Sequence, residues 1–495
     1  MTANYVERTY SAGARPRAEG LFGLSWVAMV TAGVVIIVVV LTQALAGLLA
    51  AAIVLGVGVV ITAPLVIQIG GSTGYTRAVL LWQWWRGARR GENLYRSGSF
   101  SAVPGGATIL PGLLAPSRLY RGQSVDGHLF GMIHLPKFGE YTIVLRAWPQ
   151  GSEAVDQALV DQWVAAWGSF LASLGSAPDI KAIVPVIDTV PETGNRLMNE
   201  VSTLTHEDSP EVAADVLWEL AGQLASQRVQ LEPRLAITFE ATTPERRKIP
   251  AEQALEIGRR LPGILAALAE AGVRAEPMPP DQIITFVRRS YDPAAQADLE
   301  AAAADPDGHG VTWAMAGPQD QQQCYDRYLH AGAVSITWEM TKAPPGVMTE
   351  RVLQRLLEPN PDVPRKRVAI VYRPHSAAEA ATIVDDDYRN ARVSEQNTRG
   401  GLVSPAASIR VAGAEQARQE QARGHGLTRY GILVTITAAR GEDLPRIDAL
   451  IQDLSKQARL TIRRCYTYQS AAFAGSLGVG VILPQHASVP EVFDG

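Results

Sequence analysis

Cysteine is almost missing from this chain. Cys324 and Cys465 stand far apart in 495 residues and form no CxxC, which excludes a disulfide framework and a multi-cysteine metal centre and fits a reducing cytosol. Glycine is nowhere followed directly by lysine, so the phosphate-cradling pattern G-x-x-x-x-G-K-[ST] cannot be written, and P-loop nucleotide hydrolysis is not expected from this polypeptide. The eight histidines supply no HxxxH or HExxH pair; His128 and His134 merely share one face of a strand-like run, as core or surface residues do. A one-sided charge is missing as well: the formal net charge is −4, so no global basic field argues for nucleic-acid binding. What the chain has is apolar material, 47% of its residues against 19% charged, with a mean hydropathy of +0.03. That rules out wholesale disorder and hints at a membrane part beside soluble domains.

The membrane part is one uninterrupted signal. No charged side chain occurs between Glu19 and Arg77, a run of 57 residues. About 20 apolar residues cross roughly 30 Å of hydrocarbon, so the run is too long for one helix and suits two. The polar pair Thr42-Gln43 divides it, predicting helices near Leu24 to Leu41 and Ala44 to Gln68. Arginines flank both outer ends (Arg8, Arg15, Arg17, then Arg77, Arg86, Arg89, Arg90, Arg96) and none lies between, which places both termini in the cytoplasm of a two-span protein of the cell membrane. A cleaved signal peptide is the alternative, opposed by the length of the run and by Glu7 and Glu19 before it. Just past the second span, Trp82, Trp84 and Trp85 stand beside Arg86, Arg89 and Arg90. Indoles favour the headgroup layer and guanidinium groups attract anionic lipid, so these six residues are the candidate membrane-interface site, on a helix lying along the inner leaflet. A buried aromatic patch of the first soluble domain is the other reading, and a nucleic-acid contact a weaker third.

The chain divides accordingly: a cytoplasmic arm at 1–20, the hairpin at 21–70, the interfacial helix at 71–96, a Gly/Ser/Pro-rich linker at 97–117, an α/β domain at 118–292, a linker region at 293–330 and a second α/β region at 331–495. Alternating apolar runs at Leu119 to Val125, His128 to Leu135 and Tyr141 to Trp148 predict a small meander, with Asp126-Gly127 as a hairpin turn. Helical spacing from Val155 to Leu174 marks an amphipathic helix with Trp163 and Trp167 in the core, and Ile180 to Val190 a strand that Pro185 pushes towards an edge. A second cycle follows (helix 211–227, strand 234–240, helix 251–271), then a helix at 282–290. The second region repeats the alternation around a helical insertion at 376–425, which opens on the capping box Ser376/Glu379. The expected fold class is mixed α+β or α/β, ferredoxin-like or split β-α-β modules behind a two-helix transmembrane hairpin.

Other chemical signals are weak. Asp385-Asp386-Asp387 binds a cation only if further oxygens converge on it. Gly70-Gly71-Ser72-Thr73-Gly74 matches a nucleophile elbow in letters but leaves a membrane helix, where the elbow needs a strand. Cys324 has no readable partner for nucleophilic work, and Gly475, Gly478 and Gly480 read as a packing turn. No catalytic, cofactor-binding or metal-binding residue is assigned.

Arg8-Thr9-Tyr10, Arg15-Pro16-Arg17 and Leu21-Phe22-Gly23-Leu24, then a tight hairpin and a large α/β part, resemble a family of actinobacterial conjugation-cluster membrane proteins. At a deeper level the chain looks like a TrbD-like two-helix membrane subunit joined to the non-catalytic N-terminal half of a TrbE/CagE-type secretion ATPase, the likeness being best in the C-terminal third, from the helical insertion through the strand Gly431-Ile432-Leu433-Val434-Thr435-Ile436-Thr437 to Pro484. The resemblance implies a non-enzymatic inner-membrane scaffold of a conjugative type IV secretion-like machine. Its partners would be the lipid bilayer, a separate ATPase and other channel subunits, with no sequence-specific nucleic-acid binding. Two alternatives stand beside it: an EccE-like component of type VII secretion, and a membrane-tethered enzyme with a site assembled from scattered residues.

Overall fold

A computed structural model of the chain describes residues 10–11, 26–66, 68–69, 72–98, 101, 108–151, 155–206, 209–224, 229–302, 308–342, 344, 347–363, 365–396, 405–422, 426–483 and 485–486. Arg8, Arg15, Arg17, Leu21 to Leu24, Gly70-Gly71 and Gly400-Gly401 lie outside them.

Two apolar helices come first, α1 (Trp26–Ala46) and α2 (Leu48–Val66). Both are long and apolar enough to cross a membrane, and few of their side chains are buried within the protein. The turn between them differs from the expected Thr42-Gln43. It falls at Gly47, whose φ of +87° is open to glycine and strained for any other residue, while Thr42 stays helical by donating its hydroxyl to the Val38 carbonyl at 2.7 Å. The helices touch at Gly58, where an added Cβ would collide with Val35.

After α3 (Gly74–Arg89) the body begins. Its strands, in chain order, are β1 (Leu94–Arg96), β2 (Arg118–Gln123), β3 (Leu129–Leu135), β4 (Glu140–Pro149), β5 (Ile180–Pro191), β6 (Val229–Glu240), β7 (Val273–Pro277), β8 (Asp320–Gln323), β9 (Tyr328–His330), β10 (Ala333–Lys342), β11 (Lys366–Pro374), β12 (Thr428–Ala439) and β13 (Thr461–Arg464). The helices among them are α4 (Gln157–Leu174), α5 (Asn195–Leu204), α6 (Glu211–Leu224), α7 (Pro250–Glu270), α8 (Pro280–Tyr291), α9 (Gln296–Ala302), α10 (Ala377–Gln396), α11 (Pro405–Ala422), α12 (Leu444–Gln457) and α13 (Gln469–Ser476).

All 13 strands join one antiparallel sheet in the order β1-β8-β9-β10-β12-β11-β5-β6-β4-β3-β2, with β7 extending alongside β4 and β13 alongside β10. The order repeats itself about the middle. In each half a three-strand meander (β2-β3-β4; β8-β9-β10) pairs its last strand with the fifth (β6; β12), the fourth (β5; β11) takes the other side of that fifth strand, and the sixth (β7; β13) lies along the end of the third. Both halves insert a helix pair at the same point, α5 and α6 after β5 and α10 and α11 after β11. The halves meet where β5 pairs with β11, in a ladder centred on Val186 and Ala369.

Pro185 therefore does not sit at an edge. It lies in a central strand, and the β5–β11 pairing skips from Val186 to Ile183 around it, because proline has no N–H to give the ladder.

Alternation along the strands divides the sheet into two unlike faces. On one face Tyr141, Ile143, Leu145, Leu235, Ile237 and Phe239 pack under α4 and α7, and Ile336, Trp338, Val368, Ile370, Val434 and Ile436 pack near α12. Trp167 lies half-buried against the first of these clusters, edge-on to Tyr372 of β11. Each fully buried side chain of this size contributes roughly 2 kcal/mol, several times the worth of a surface ion pair, so this face dominates stability.

The opposite face, under α8, α13 and the irregular 477–483 stretch, is small and polar towards the middle. Thr142 bonds Thr238 at 2.9 Å, Thr337 bonds Thr435 at 2.9 Å, and Ser335 links His330 to Thr437 at 2.7 and 2.8 Å. Gln469 of α13 both accepts from and donates to the Thr337 backbone, at 2.8 and 3.1 Å. Polar groups buried in so low a dielectric have to be paired in this way.

Two buried histidines give the body an acid limit. Burial lowers the pKa of His330 to about 4 against the pull of the Tyr291 carbonyl, and burial with the Arg118 charge lowers that of His134 to about 4. His134 stacks flat on Tyr141 with ring centroids 4.1 Å apart, and neither ring nitrogen has a protein partner among the described residues, whereas His128 lies exposed. Both rings are neutral in the fold and take a proton near 6.5 once unfolded. Their contribution is therefore complete above pH 6.5 and is lost as the pH falls towards 4, roughly 3 kcal/mol for His330 and less for His134. The urea midpoint should drop between pH 7 and 4.5. His134→Phe should flatten part of that drop and add about 1 kcal/mol at pH 7, and an unchanged acid limb in this variant would refute the assignment.

Candidate functional site

The six residues singled out at the membrane exit all lie on or just past α3, which follows α2 after a two-residue hairpin, Gln68–Ile69 against Ser72–Thr73. At 3.6 residues per turn, Trp82, Trp85, Arg86 and Arg89 share one outward face. Trp82 and Trp85 are exposed, Arg86 lies 5.3 Å over the Trp82 ring and Arg89 3.5 Å over that of Trp85. Such stacking holds each guanidinium flat beside an indole, an amphipathic surface suited to headgroups. Arg90 turns aside to Glu92 at 3.7 Å.

Trp84 points the other way. It is half-buried and meets Tyr325 edge-on at 5.7 Å, and Tyr325 in turn packs on Tyr466 at 5.1 Å. The chain after α3 is then built into the sheet: β1 pairs with β8 through Leu94, Tyr95 and Arg96, and the Asn93 amide donates to the Gln323 carbonyl at 3.3 Å. On the other side of the hairpin, Tyr10–Ser11 pairs with Val347–Met348, so both ends of the hairpin attach to the second half of the body.

Beside this seat lies an open cleft of about 240 Å3, lined by Arg77 of α3 together with Trp338, Asp448, Arg463, Arg464 and Tyr466. Its charges are arranged in pairs. Arg464 reaches Asp448 at 2.8 Å and Asp326 at 3.2 Å, Arg463 reaches Glu339, and Asp448 accepts the Trp338 indole N–H at 3.0 Å. Burial opposes the charge of Arg463, yet Glu339 and Tyr468 hold it above the usual arginine value. These residues come from α3, β10, α12 and β13 and the loops after β8 and β13, and apart from Arg463, Arg464 and Tyr466 no spacing in the sequence joins them.

The remaining sequence signals do not converge on a reaction. Asp386 is spent on Arg389 at 3.2 Å and Asp385 on Arg418 at 3.3 Å, while burial raises Asp387. Among the described residues no group of three metal-ligating side chains comes together. Burial raises both thiols, that of Cys465 far above its ordinary value, which suppresses the nucleophilic thiolate. Gly475 packs against Leu433, and Gly478 and Gly480 turn the chain at positive φ over Val186 and Thr142.

Residues 17–76 match the family described as "Domain of unknown function (DUF8461)", a match that takes in both apolar helices and ends in the first turn of α3. No curated protein matches the chain.

The two faces of α3 make separable predictions. Trp84→Ala should loosen the seat, raising amide hydrogen exchange across residues 91–98 and costing roughly 2 kcal/mol of local stability. Trp82→Ala should leave exchange there unchanged. Equal effects from the two substitutions would show that Trp84 does not anchor the helix.

Proposed function

We propose that the chain is a membrane-tethered adaptor: two spans in the cell membrane, both termini cytoplasmic, α3 on the inner leaflet, and a duplicated sheet body that offers a rigid platform to a separate protein. The observation that carries this reading is the double attachment of the hairpin. The Tyr10–Ser11 ladder before α1 and the β1 ladder after α3 both engage the second half, which supports placing the two ends of the hairpin on one side of the bilayer. The arginines flanking the hairpin, with none between, favour the cytoplasmic side. In each half the strands flanking β6 or β12 run parallel to each other, which supports reading the halves as split β-α-β, ferredoxin-like modules.

The resemblance to conjugation-cluster membrane proteins suggests the partner: a cytoplasmic ATPase of a type IV secretion-like transfer machine, docked by this chain to the membrane channel. The adaptor itself carries out no reaction in this reading.

The full chain, extracted from its own membranes in mild detergent, should resist carbonate washing and elute together with such an ATPase, while turning over no ATP alone. Release by carbonate would defeat the tether. ATP hydrolysis by the purified chain would defeat the adaptor, as would repeated elution without a motor under conditions that keep other channel subunits attached.

A further inference from the structure

The polar face of the sheet gathers an excess of buried positive charge at the seam between the halves. Asp188 of β5 is fully enclosed, and a single one of its oxygens, Oδ2, accepts from Arg234 of β6 at 3.2 Å and from Arg367 of β11 at 3.1 and 3.2 Å. Arg289 of α8 is held by Glu232, and Arg365 reaches Gln296 and the Pro293 carbonyl. Four guanidinium groups thus face two carboxylates, and counting Glu300 at the rim still leaves one positive charge over. Arg234 is 4% exposed and Arg367 6%, and Nε and Nη1 of the first and Nη1 of the second have no protein acceptor among the described residues.

A buried cation without a counter-charge is expensive, and so is each unsatisfied N–H. Beside Arg289, Arg365 and Arg367 lies a void with about 10 Å3 open to the centre of a water-sized species, lined also by Asp188, Ser290 and Thr437, while Arg234 stays outside its lining and packs 4.3 Å over the Phe286 ring. That is the lower limit for a single water-sized occupant, so a halide would need the lining side chains to give slightly. We infer that this void is a binding site for a single small inorganic anion of the halide class, chloride in the cell, held by guanidinium N–H groups and closing the charge account where the two halves of the sheet join. Burial lowers the pKa of Arg365 to about 10, with Arg289 and Arg367 adding to the fall, as expected of a cluster short of negative charge. The site is independent of the adaptor reading.

The test uses the full chain in detergent at fixed ionic strength, with chloride replacing gluconate. Chloride should raise Tm in a saturable way by roughly 2–5 °C, and Arg365→Gln, at the half-exposed mouth of the void, should shift the half-saturating concentration at least tenfold upward. Should that variant fold poorly, bromide replaces chloride in crystals of the unaltered chain, where an anomalous peak within hydrogen-bonding distance of Arg367 supports the site. Identical melting in chloride and gluconate, or an ordered water alone with no bromide peak in the void, overturns it.

Discussion

Everything in the body hangs on the antiparallel ladder between β5 and β11. Without it the chain would be two sheets, with β5 and β11 as bare edge strands exposing unpaired N–H and C=O groups. With it the two meanders become opposite wings of one surface. The Asp188 carboxylate is the electrostatic part of the same join, because it sits on one strand of the seam and draws Arg367 from the other and Arg234 from the next strand in. Removing either partner of such a buried cluster strands a charge in low dielectric, a penalty of about 3–5 kcal/mol, whereas the exposed pairs on α10 and α11 are worth only tenths. A seam clamped in this way favours motion of the body as one unit over hinge motion between the halves.

The halves share a plan but not its contents. In each, the third and fifth strands form a ladder of seven pairs, ending at Arg146 and Arg234 in the first half and at Glu339 and Leu433 in the second. The equivalent position is thus a buried guanidinium on one side and an aliphatic side chain on the other. The connection before the fourth strand is the 18-residue α4 in the first half, while the second half uses a 3-10 turn and the short helix Gln354–Leu357. Polarity on the shared face is therefore lopsided, and the cluster of arginines belongs to the seam and the first half's α8 rather than to a symmetric pair of sites.

Much of this was legible in the sequence, for identifiable reasons. The uncharged run from Glu19 to Arg77 gave the two apolar helices, and period-two alternation gave β2 to β4. The hairpin turn was misplaced because Thr42 hides its polarity by bonding inside the helix, and Gly47 reads as one small residue among many. Pro185 misled because a rule about single ladders does not foresee a central strand whose second ladder skips two positions. The repeat went unseen since it lies in strand order, which local patterns do not encode. Trp84 stands in one tetrapeptide with Trp82 and Trp85, and only the 3.6-residue helical turn separates the tryptophan that faces the body from the two that do not. The cleft and the arginine cluster draw on residues hundreds of positions apart, so no motif could announce either.

The anchoring is asymmetric. The arm, α3 and β1 all engage the second half, while the outer strand of the first half, β2, carries no connection to the hairpin among the described elements. From the hairpin, the sheet runs through β1 and β8 to β10, β12 and β11 and reaches β6 and β4 across the seam, while the cluster under α8 and α13 packs residues of both halves together. The first half is the one farther from the hairpin along the sheet. It also carries the more apolar surface, since Val212, Val216, Leu217, Trp218 and Leu220 of α6 are all exposed. Contiguous exposed apolar side chains of this kind are uncommon on a freely soluble surface. The division is therefore structural: one half carries the attachments to the two apolar helices, the other leaves apolar side chains exposed, and the seam joins the two.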